Sequence, residues 1–441
     1  MSLNSIYWRE TEPVQPGPPL LGERRCDVCI VGAGYTGLWT AHQLKLAEPS
    51  LDVCVLEAAY AGAGASGHND GFVTPTIGHG LHNVVRRFGA ERAKAAYAAV
   101  GRSILELRRF CRKQGVEAEL EPNGFLTVAV NAGQRRRLEA DVATAAEMGV
   151  GYELLSAEET RSRVGSAEPV AALELPGALV NPHKLARGLA RVVREQGVEV
   201  YEGSPVVALE LGTGSRVAKT PGGQVVADRI VLATNAYQHR LPGFRRKVKP
   251  VWSYAMVSEP LGNRFAELGW SSRQGFVEAR NFILFARPVA EDRILIGGGP
   301  APYRYGRDMD DSHMRDKQVF KQLREALTGY FPSLAGLRFT HAYGGCIAVT
   351  RDLVPHVGEL EPGVFYAYGY CGNGIAMTHA AAKALRDLVL EVDSDHARQL
   401  YVRDRTAGFP PEPLAFLGAR ALSALLRFQD AHPALLQRQI V

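Results

Sequence analysis

The stretch from residue 26 to residue 57 restricts the fold more than any other part of the chain. It runs through an apolar strand, a glycine-rich turn, a helical pattern and a second apolar strand to an acidic residue. In order, these are Val28–Val31, Gly32-x-Gly34-x-x-Gly37, Leu38–Leu46, Val53–Leu56 and Glu57. A dinucleotide-binding fingerprint requires this order of elements. The stretch therefore predicts a Rossmann-like α/β unit, and on its own it allows either NAD or FAD.

The three glycines have separate tasks in such a unit. Gly32 makes the tight turn, Gly34 lets the backbone reach a pyrophosphate, and Gly37 lets the helix lie close to the sheet. The pyrophosphate then meets the free N–H groups and the positive end of the helix dipole. Glu57 is placed to accept hydrogen bonds from ribose hydroxyls.

Composition narrows the class of protein and its partners. With 441 residues the chain is long enough for two lobes. A formal net charge of +5 is small for this length, and no base-stacking aromatic pattern accompanies the basic clusters, so nucleic acid is not expected as a partner. No apolar run approaches the roughly 20 residues that span a bilayer, so no spanning segment is expected. Without a signal-peptide pattern, we expect a cytoplasmic enzyme.

The cysteines show no metal-ligand spacing. Cys26 and Cys29 resemble a CxxC pair, but they lie in or beside the first strand. Their odd spacing predicts side chains on opposite faces of that strand. We therefore expect small buried hydrophobic residues there, and no metal site.

The order of strand and helix patterns predicts a discontinuous nucleotide-binding domain with a second lobe inserted into it. The segments 24–85, 170–245 and 343–395 are assigned to the nucleotide-binding domain. The segments 86–169 and 246–342 are assigned to an inserted α+β substrate-binding domain. The predicted fold class is therefore α/β with an added α+β lobe.

The pattern changes after residue 248. Val251–Val257, Phe276–Phe285 and Arg293–Gly297 have the character of strands without helices between them, which predicts an antiparallel sheet. The last segment, 396–441, is predicted to be a helical extension packed on the core. Its apolar helix, Leu414–Phe428, could instead be a lid or contact a membrane, and packing on the protein's own core is the preferred interpretation.

Two further glycine-rich elements distinguish between the cofactors. Ala61–Gly71 offers small residues that let the backbone approach a ligand, with Ser66 and Asn69 as hydrogen-bonding groups. Gly369–Gly374 precedes a helical pattern, Ile375–Leu390, whose free N–H groups and positive end would face the negative charge of reduced flavin. An NAD enzyme needs neither element, so FAD is the predicted cofactor.

These motifs, with Ala233-Thr-Asn235 and Thr350-x-Asp352-x-x-Pro355-x-x-Gly358, resemble the FAD-dependent D-amino-acid oxidase superfamily over nearly the whole chain. The branch of γ-glutamylputrescine oxidase and related bacterial amine oxidases is the most similar. The resemblance implies a glutathione-reductase-type FAD domain and transfer of a hydride from an amine C–H bond to flavin N5. It also implies hydrolysis of the imine and reoxidation by O2 to give H2O2, with no obligatory protein base.

The resemblance also implies which residues contact FAD. They lie in the two glycine turns, in the loop after Glu57, or at nearby strand ends. They are Val31, Gly32, Gly34, Tyr35, Thr36, Gly37, Leu56, Glu57, Ala58, Gly64, Ala65, Ser66, His68, Asn69, Val206, Val207, Ala233, Thr234, Cys346, Gly372, Asn373, Gly374, Ile375 and Ala376.

Three positions depart from the patterns of relatives. His68 stands where close relatives have Arg, while the dimethylglycine-oxidase branch has a flavin-linked His at about this place, so a covalent bond is one hypothesis and hydrogen bonding without a bond is preferred. Cys346 lies one position from the flavin-linked Cys of monomeric sarcosine oxidases, so no thioether is expected. Leu295 stands at the place of their oxygen-activating Lys, which leaves a quinone or carrier open as acceptor beside O2.

The candidates for substrate contact lie in the second lobe and beside the flavin motifs. Trp252, Tyr254 and Met256 alternate on one strand face, where they could form an aromatic wall over the flavin or pack the lobe. Arg280 or Arg287 could clamp a substrate carboxylate. The pocket residues predicted in this way are Trp252, Tyr254, Arg280, Tyr343 and Tyr370.

The predicted function is FAD-dependent oxidation of a small-molecule amine. The amine is primary or secondary: a polyamine derivative, an N-substituted amino acid or an iminodiacid. An amine dehydrogenase with a quinone or carrier acceptor is the alternative. An NAD(P)-dependent dehydrogenase fits less well because of the second glycine turn. A flavin protein serving assembly or RNA modification fits least, because a basic face is missing.

Overall fold

The computed structural model describes residues 6–78, 80–212, 214–241, 243–402 and 407–432. Residues 403–406 and 433–441 of the predicted C-terminal extension lie outside the described residues. The strands are β1 (Gly22–Val31), β2 (Val53–Leu56), β3 (Phe72–Val73), β4 (Phe125–Ala129), β5 (Glu153–Leu155), β6 (Ala171–Leu175), β7 (Ala178–Leu179), β8 (Glu199–Tyr201), β9 (Ala208–Glu210), β10 (Arg216–Thr220), β11 (Gly223–Leu232), β12 (Lys249–Ser258), β13 (Gly275–Glu278), β14 (Leu284–Val289), β15 (Arg293–Gly298), β16 (Phe339–Val349), β17 (His356–Glu361) and β18 (Val364–Tyr368).

The helices alternate with strands in the first and last thirds of the chain. They are α1 (Tyr7–Glu10), α2 (Tyr35–Ala47), α3 (Ala65–His68), α4 (Leu81–Phe88), α5 (Ala90–Lys113), α6 (Ala132–Glu147), α7 (Ala157–Val164), α8 (Pro182–Glu195), α9 (Asn263–Glu267), α10 (Lys317–Tyr330), α11 (Gly374–Val389) and α12 (Leu414–Ala431). Within the described ranges, no helix combines the length and the apolar content that crossing a bilayer requires.

The first sheet is the predicted nucleotide-binding sheet. Its strand order is β17-β18-β11-β1-β2-β8, with β10 paired antiparallel to β11 and β9 paired antiparallel to β10. The pairs β1–β2, β1–β11, β2–β8 and β11–β18 are parallel. Both faces of its centre are covered, which explains the uninterrupted apolar run Val28–Val31. Helices α2, α5, α8 and α11 supply the core on one of these faces.

The second sheet has the order β16-β12-β15-β14-β13-β4-β6-β5. All neighbouring pairs are antiparallel except β4–β13, which is parallel. Helix α10 packs on one face through Val319, Leu323 and Leu327. The sheet recruits β6, from the interval 170–245, and β16, which crosses residue 343. The predicted domain limits stay a prediction, and these two strands join the second sheet.

One predicted strand, Phe276–Phe285, is wrong as a single element. The structure divides it into β13, ending at Glu278, and β14, beginning at Leu284. The backbone N–H groups of Asn281 and Phe282 donate to the carboxylate of Asp430 at 2.9 and 3.0 Å. The loop therefore finds its hydrogen-bond acceptors on α12, a partner far away in sequence.

The prediction that Cys26 and Cys29 point to opposite faces is also wrong. Both pack in one cluster with Cys54, and the sulfur atoms of Cys26 and Cys54 are 3.5 Å apart. The N–H groups of Asp27 and Val28 both donate to the carbonyl of Asp52, and this irregularity interrupts the alternation of side chains. Among the described residues, no group of three or more His, Cys, Asp or Glu side chains is arranged to hold a metal.

Candidate active site

A cavity of about 1780 Å³ runs between the two sheets. The β1–α2 turn and the loop after β2 line one end. Strands β12 and β16 line the other end, with α12 along its border. Ligands of parallel α/β sheets bind at the carboxyl ends of the strands, and this end of the first sheet faces the cavity.

The fingerprint has the geometry that its sequence predicts. Gly32 has φ +106°, and a Cβ at this position would lie 2.8 Å from the carbonyl oxygen of Ala233. A Cβ on Gly37 would overlap the carbonyl oxygen of Gly32. Side chains at these two positions would therefore separate the turn from its neighbours, so both positions require glycine.

Glu57 is held by the backbone at the end of β2. Its carboxylate accepts hydrogen bonds from the N–H groups of Ala33 at 2.8 Å and Ala59 at 3.0 Å. Burial raises the pKa of Glu57 above its usual value, while these N–H groups act in the opposite direction. The carboxylate lines the cavity in a fixed position, as an acceptor for ribose hydroxyls must.

The loop after Glu57 is stabilised by its own polar side chains. Ser66 Oγ accepts a hydrogen bond from the N–H of Tyr35, the first residue of α2, at 2.9 Å. The Asn69 amide donates to the Ser66 carbonyl at 2.8 Å and accepts from the Gly71 N–H at 2.9 Å. Both residues line the cavity. The hydrogen bonds of their side chains stabilise the loop and the start of α2.

His68 presents an unsatisfied ring nitrogen. Its Nε2 is buried and has no hydrogen-bond partner among the described residues. Burial, followed by the nearby charge of Arg9, lowers the pKa of His68 to about 3. The imidazole is therefore neutral, and a ligand in the cavity is the group that would complete its hydrogen bonding.

The start of α11 is the second positive helix end at the cavity. In the described part of the chain, no side chain caps it. Asn373 instead accepts from the Thr76 hydroxyl at 2.8 Å and donates to the Gly78 carbonyl at 2.9 Å, which ties the helix start to another loop. The first N–H groups of a helix have no partner within it. They are therefore available to a negatively charged ring edge.

These features fit FAD. A glycine turn, an acid and an uncapped helix start all line one large cavity. Nearly all of the predicted cofactor residues line this cavity. The exceptions are Gly37, which packs α2 on the turn, Ala376, inside α11, and Val207, which is exposed.

The aromatic candidates on β12 are engaged with the protein itself. Trp252 Nε1 donates to the Asp308 carbonyl at 3.3 Å, and the Tyr254 hydroxyl donates to the His313 carbonyl at 3.0 Å. Both rings pack with Met256 in the cluster around α10. They also border the cavity, whereas Met256 does not. The geometry therefore favours lobe packing as their main role.

The two arginine candidates have different surroundings. Arg280 lines the cavity and lies 3.8 Å from Glu278 and 3.6 Å from Asp430. Arg287 is buried outside the cavity lining, and its guanidinium donates to the carbonyls of Val180 at 2.8 Å and Asp70 at 3.2 Å. Of the two, Arg280 is therefore the one placed to meet a substrate carboxylate.

The remaining candidates, Tyr343, Tyr370 and Cys346, also line the cavity. Tyr343 is buried next to Trp8 and lines the cavity. The Tyr370 hydroxyl lies 2.8 Å from Thr36 Oγ1, which joins the second glycine motif to the first. Cys346 also lines the cavity, and burial raises its pKa to about 12.

Sequence reasoning missed several cavity residues that come from distant segments. Ile6 and Arg9 reach the cavity from the N-terminal segment, and the Arg9 guanidinium lies 5.5 Å from the centre of the Tyr60 ring. Asp70 lines the cavity, and burial raises its pKa to about 7. Lys249 donates to the Ala415 carbonyl of α12 at 3.0 Å, and burial lowers its pKa to about 8. Of these residues, only Asp70 lies in a segment that the sequence pattern had marked, the loop Ala61–Gly71.

Known proteins resemble this chain over most of its length. The model of the DAO family, FAD dependent oxidoreductase, matches residues 27–388. Gamma-glutamylputrescine oxidoreductase of Escherichia coli is 31% identical over 88% of both chains. A probable oxidoreductase, OrdL, of Haemophilus influenzae is 28% identical over 85% of both chains. The crystal structure of glycine oxidase from Geobacillus kaustophilus superposes with a TM-score of 0.70 at 21% identity, covering 84% of this chain and 96% of that one. The chain therefore belongs to the DAO family of FAD-dependent oxidoreductases.

Proposed function

We propose that this enzyme oxidises a primary or secondary amine that also carries a carboxylate, with noncovalently held FAD and with O2 as the acceptor. The products are an imine, which water hydrolyses, and H2O2. The observation that carries the proposal is one continuous cavity that joins the fingerprint to a second sheet bearing Arg280. The names of the relatives, a γ-glutamylputrescine oxidoreductase and a glycine oxidase, support an amine or amino acid as substrate.

In this chemistry, the side chains and the backbone of the protein bind and orient the cofactor and the substrate. Gly32 and Gly34 would admit the pyrophosphate, Glu57 would hold the ribose, and the start of α11 would face the pyrimidine edge of the ring system. Bound FAD supplies an electron-accepting N5 that takes a hydride from the carbon next to the amine nitrogen. An electropositive helix end stabilises negative charge on the reduced cofactor and so favours this transfer.

Two charged side chains in the cavity complement an amino acid. The Arg280 guanidinium can bind a carboxylate through two parallel hydrogen bonds. The Asp70 carboxyl has a pKa of about 7 because of burial, so near neutral pH it can accept the proton that an ammonium must lose. Only the neutral amine has the free electron pair that assists departure of a hydride.

The test is anaerobic reduction of the purified yellow protein by a panel of amines. The panel contains polyamine derivatives, N-methyl amino acids and N-carboxymethyl amino acids. Bleaching by a carboxylated amine, followed by stoichiometric H2O2 when air is admitted, is the expected result. Bleaching without H2O2 would replace O2 by a quinone or carrier acceptor. A colourless protein that binds NADH would refute the proposal.

Attachment of the cofactor is measured on the same sample. We expect acid precipitation to release all of the flavin into the supernatant, because we propose that His68 and Cys346 line the cofactor site without a bond to the flavin. Flavin that stays with the pellet in wild type but not in His68→Ala would show a covalent bond at His68.

A further inference from the structure

Helix α12 is apolar on two opposite faces. The inner face lines the cavity and carries Ala415, Ala419, Leu422 and Leu426. The outer face does not line the cavity and carries Leu417, Ala421, Leu425 and Phe428. The spacing i, i+4, i+8 and i+11 places the outer residues in one stripe along the helix. A helix that only covers a cavity needs an apolar inner face and no apolar outer face.

The outer stripe is exposed rather than packed. Leu417 is 58% exposed and Phe428 is 47% exposed. Two neighbours from other segments are exposed beside this helix. They are Tyr305, whose ring centre is 5.5 Å from that of Phe416, and Ile283, in the loop that binds Asp430, and both lie at the border of the cavity rather than on the outer stripe. Large apolar side chains grouped in this way mark an interaction surface.

The exposed charge on α12 itself is positive. Arg420 and Arg427 are exposed and lie one heptad apart between the two faces of α12, where they also border the cavity. Arg245 and Arg246 are exposed beside the segment that leads into α12, where the Phe409 N–H donates to the Arg246 carbonyl at 2.7 Å. Two exposed arginines therefore lie on α12 itself, and two more lie beside the segment that precedes it.

The two acidic residues on or beside α12 are engaged within the protein, and the exposed acids Asp308, Asp310 and Asp311 belong to the segment after Tyr305. The Glu412 carboxylate accepts a hydrogen bond from the Tyr303 hydroxyl and another from the Phe416 N–H. The Asp430 carboxylate is buried against Arg280 and accepts from two backbone N–H groups. Neither acid offsets the arginines at the surface.

The charge decides between two occupants. In a symmetric contact with a second copy, the same surface would face itself and bring the two sets of arginines together, which is unfavourable. An anionic bilayer accepts the apolar stripe among its acyl chains and attracts the arginines to its headgroups. A helix with this combination lies in the plane of the interface.

We propose that α12 docks this protein on an anionic lipid surface, with Leu417, Leu425 and Phe428 inserted and with Arg420 and Arg427 at the headgroups. Because the inner face of the same helix lines the cavity, docking brings this border of the cavity to the membrane surface. The proposal goes beyond the amine chemistry and does not depend on it.

Co-sedimentation of the holoenzyme with vesicles tests the proposal. We expect binding to phosphatidylglycerol–phosphatidylethanolamine vesicles at least about tenfold stronger than to phosphatidylcholine vesicles. The double variant Leu417→Glu with Phe428→Glu should lower binding by about tenfold or more, since two inserted side chains are lost. The matched control is Leu105→Glu on α5, where the leucine is also 58% exposed, and it should bind like wild type.

Retained flavin absorbance shows that each variant is folded. Equal binding of the double variant and wild type, or of the two vesicle types, would overturn the proposal. The proposal would also be overturned if wild type did not bind vesicles and the double variant were a monomer where wild type is a dimer. The surface would then be a contact between copies of this chain. Amine-dependent bleaching is followed without vesicles, so failure of the proposed amine chemistry is seen separately.

Discussion

The two ends of the cavity are built in different ways. At the fingerprint end the backbone makes the surface, through Gly32, Gly34 and a helix start, and Glu57 is itself held by backbone N–H groups. At the end lined by β12 and β16, which we propose as the substrate end, side chains from distant segments make the surface, among them Arg280 and Lys249. A surface made by the backbone requires glycine at fixed positions, so a short sequence motif can predict it. A side-chain surface depends on which segments meet.

The largest effect should come from adding one methyl group at the fingerprint end. In Gly32→Ala, the new Cβ would lie 2.8 Å from the Ala233 carbonyl oxygen at a φ of +106°. Strain of about 1–3 kcal/mol plus displacement of the turn should lower FAD affinity by about 100-fold. The measurement is the flavin-to-protein absorbance ratio after gel filtration.

A glycine outside the cavity provides the matched control. A Cβ at Gly101, within α5, would meet no atom within 4 Å. Gly101→Ala should keep full flavin content and stabilise the helix by about 0.5–1 kcal/mol. If Gly32→Ala also kept its flavin, the backbone account of this end would be wrong.

The second effect is a change in the pH dependence of stability at Asp70. Its pKa rises from 3.8 to about 7 on burial. Below pH 4 the carboxyl is protonated in both the folded and the unfolded chain. Between pH 4 and pH 7 the unfolded chain loses this proton while the folded chain keeps it, so folding becomes less favourable across this window.

Asp70→Asn removes this penalty. The variant should exceed wild type in stability by on the order of 2 kcal/mol at pH 8, and the two should be equally stable at pH 4. The gain at pH 8 is smaller than the free energy that corresponds to the full pKa shift, because the cavity admits solvent. Thermal unfolding at the two pH values measures the difference. The exposed Asp393, changed to Asn, is the control and should change little at either pH. A constant gain across pH would exclude burial as the cause.

The sequence predicted what local geometry dictates. The parallel sheet, the glycine turn, Glu57 and the start of α11 follow from short patterns, since backbone conformation and helix ends are local properties. It did not predict that Asp430 would end the run Phe276–Phe285, because that hydrogen bond joins residues far apart in the chain. The predicted orientation of the Cys26 side chain was wrong because the N–H groups of Asp27 and Val28 both donate to the Asp52 carbonyl, which interrupts the alternation along the strand.

The third effect, from a substitution at Arg280, tests the other end of the cavity. Arg280→Lys keeps the charge beside Glu278 and Asp430 but loses the planar fork that binds a carboxylate at two points. KM for a carboxylated amine should rise about tenfold with kcat little changed, and KM for an amine without a carboxylate should stay constant. Arg135→Lys, in an exposed pair with Glu139, is the control. Equal changes for both amines would remove Arg280 from substrate recognition.

The smallest effect is expected on β12, where the structure favours packing over substrate contact. The Tyr254 hydroxyl donates to the His313 carbonyl at 3.0 Å, so Tyr254→Phe should cost about 1 kcal/mol of unfolding free energy. KM and kcat should stay within about twofold, because the ring itself is retained. Urea unfolding and steady-state kinetics on one preparation separate the two effects. A rise in KM of about tenfold without loss of stability would instead place this hydroxyl on the substrate, and β12 would then belong to the reacting surface as well as to the lobe core.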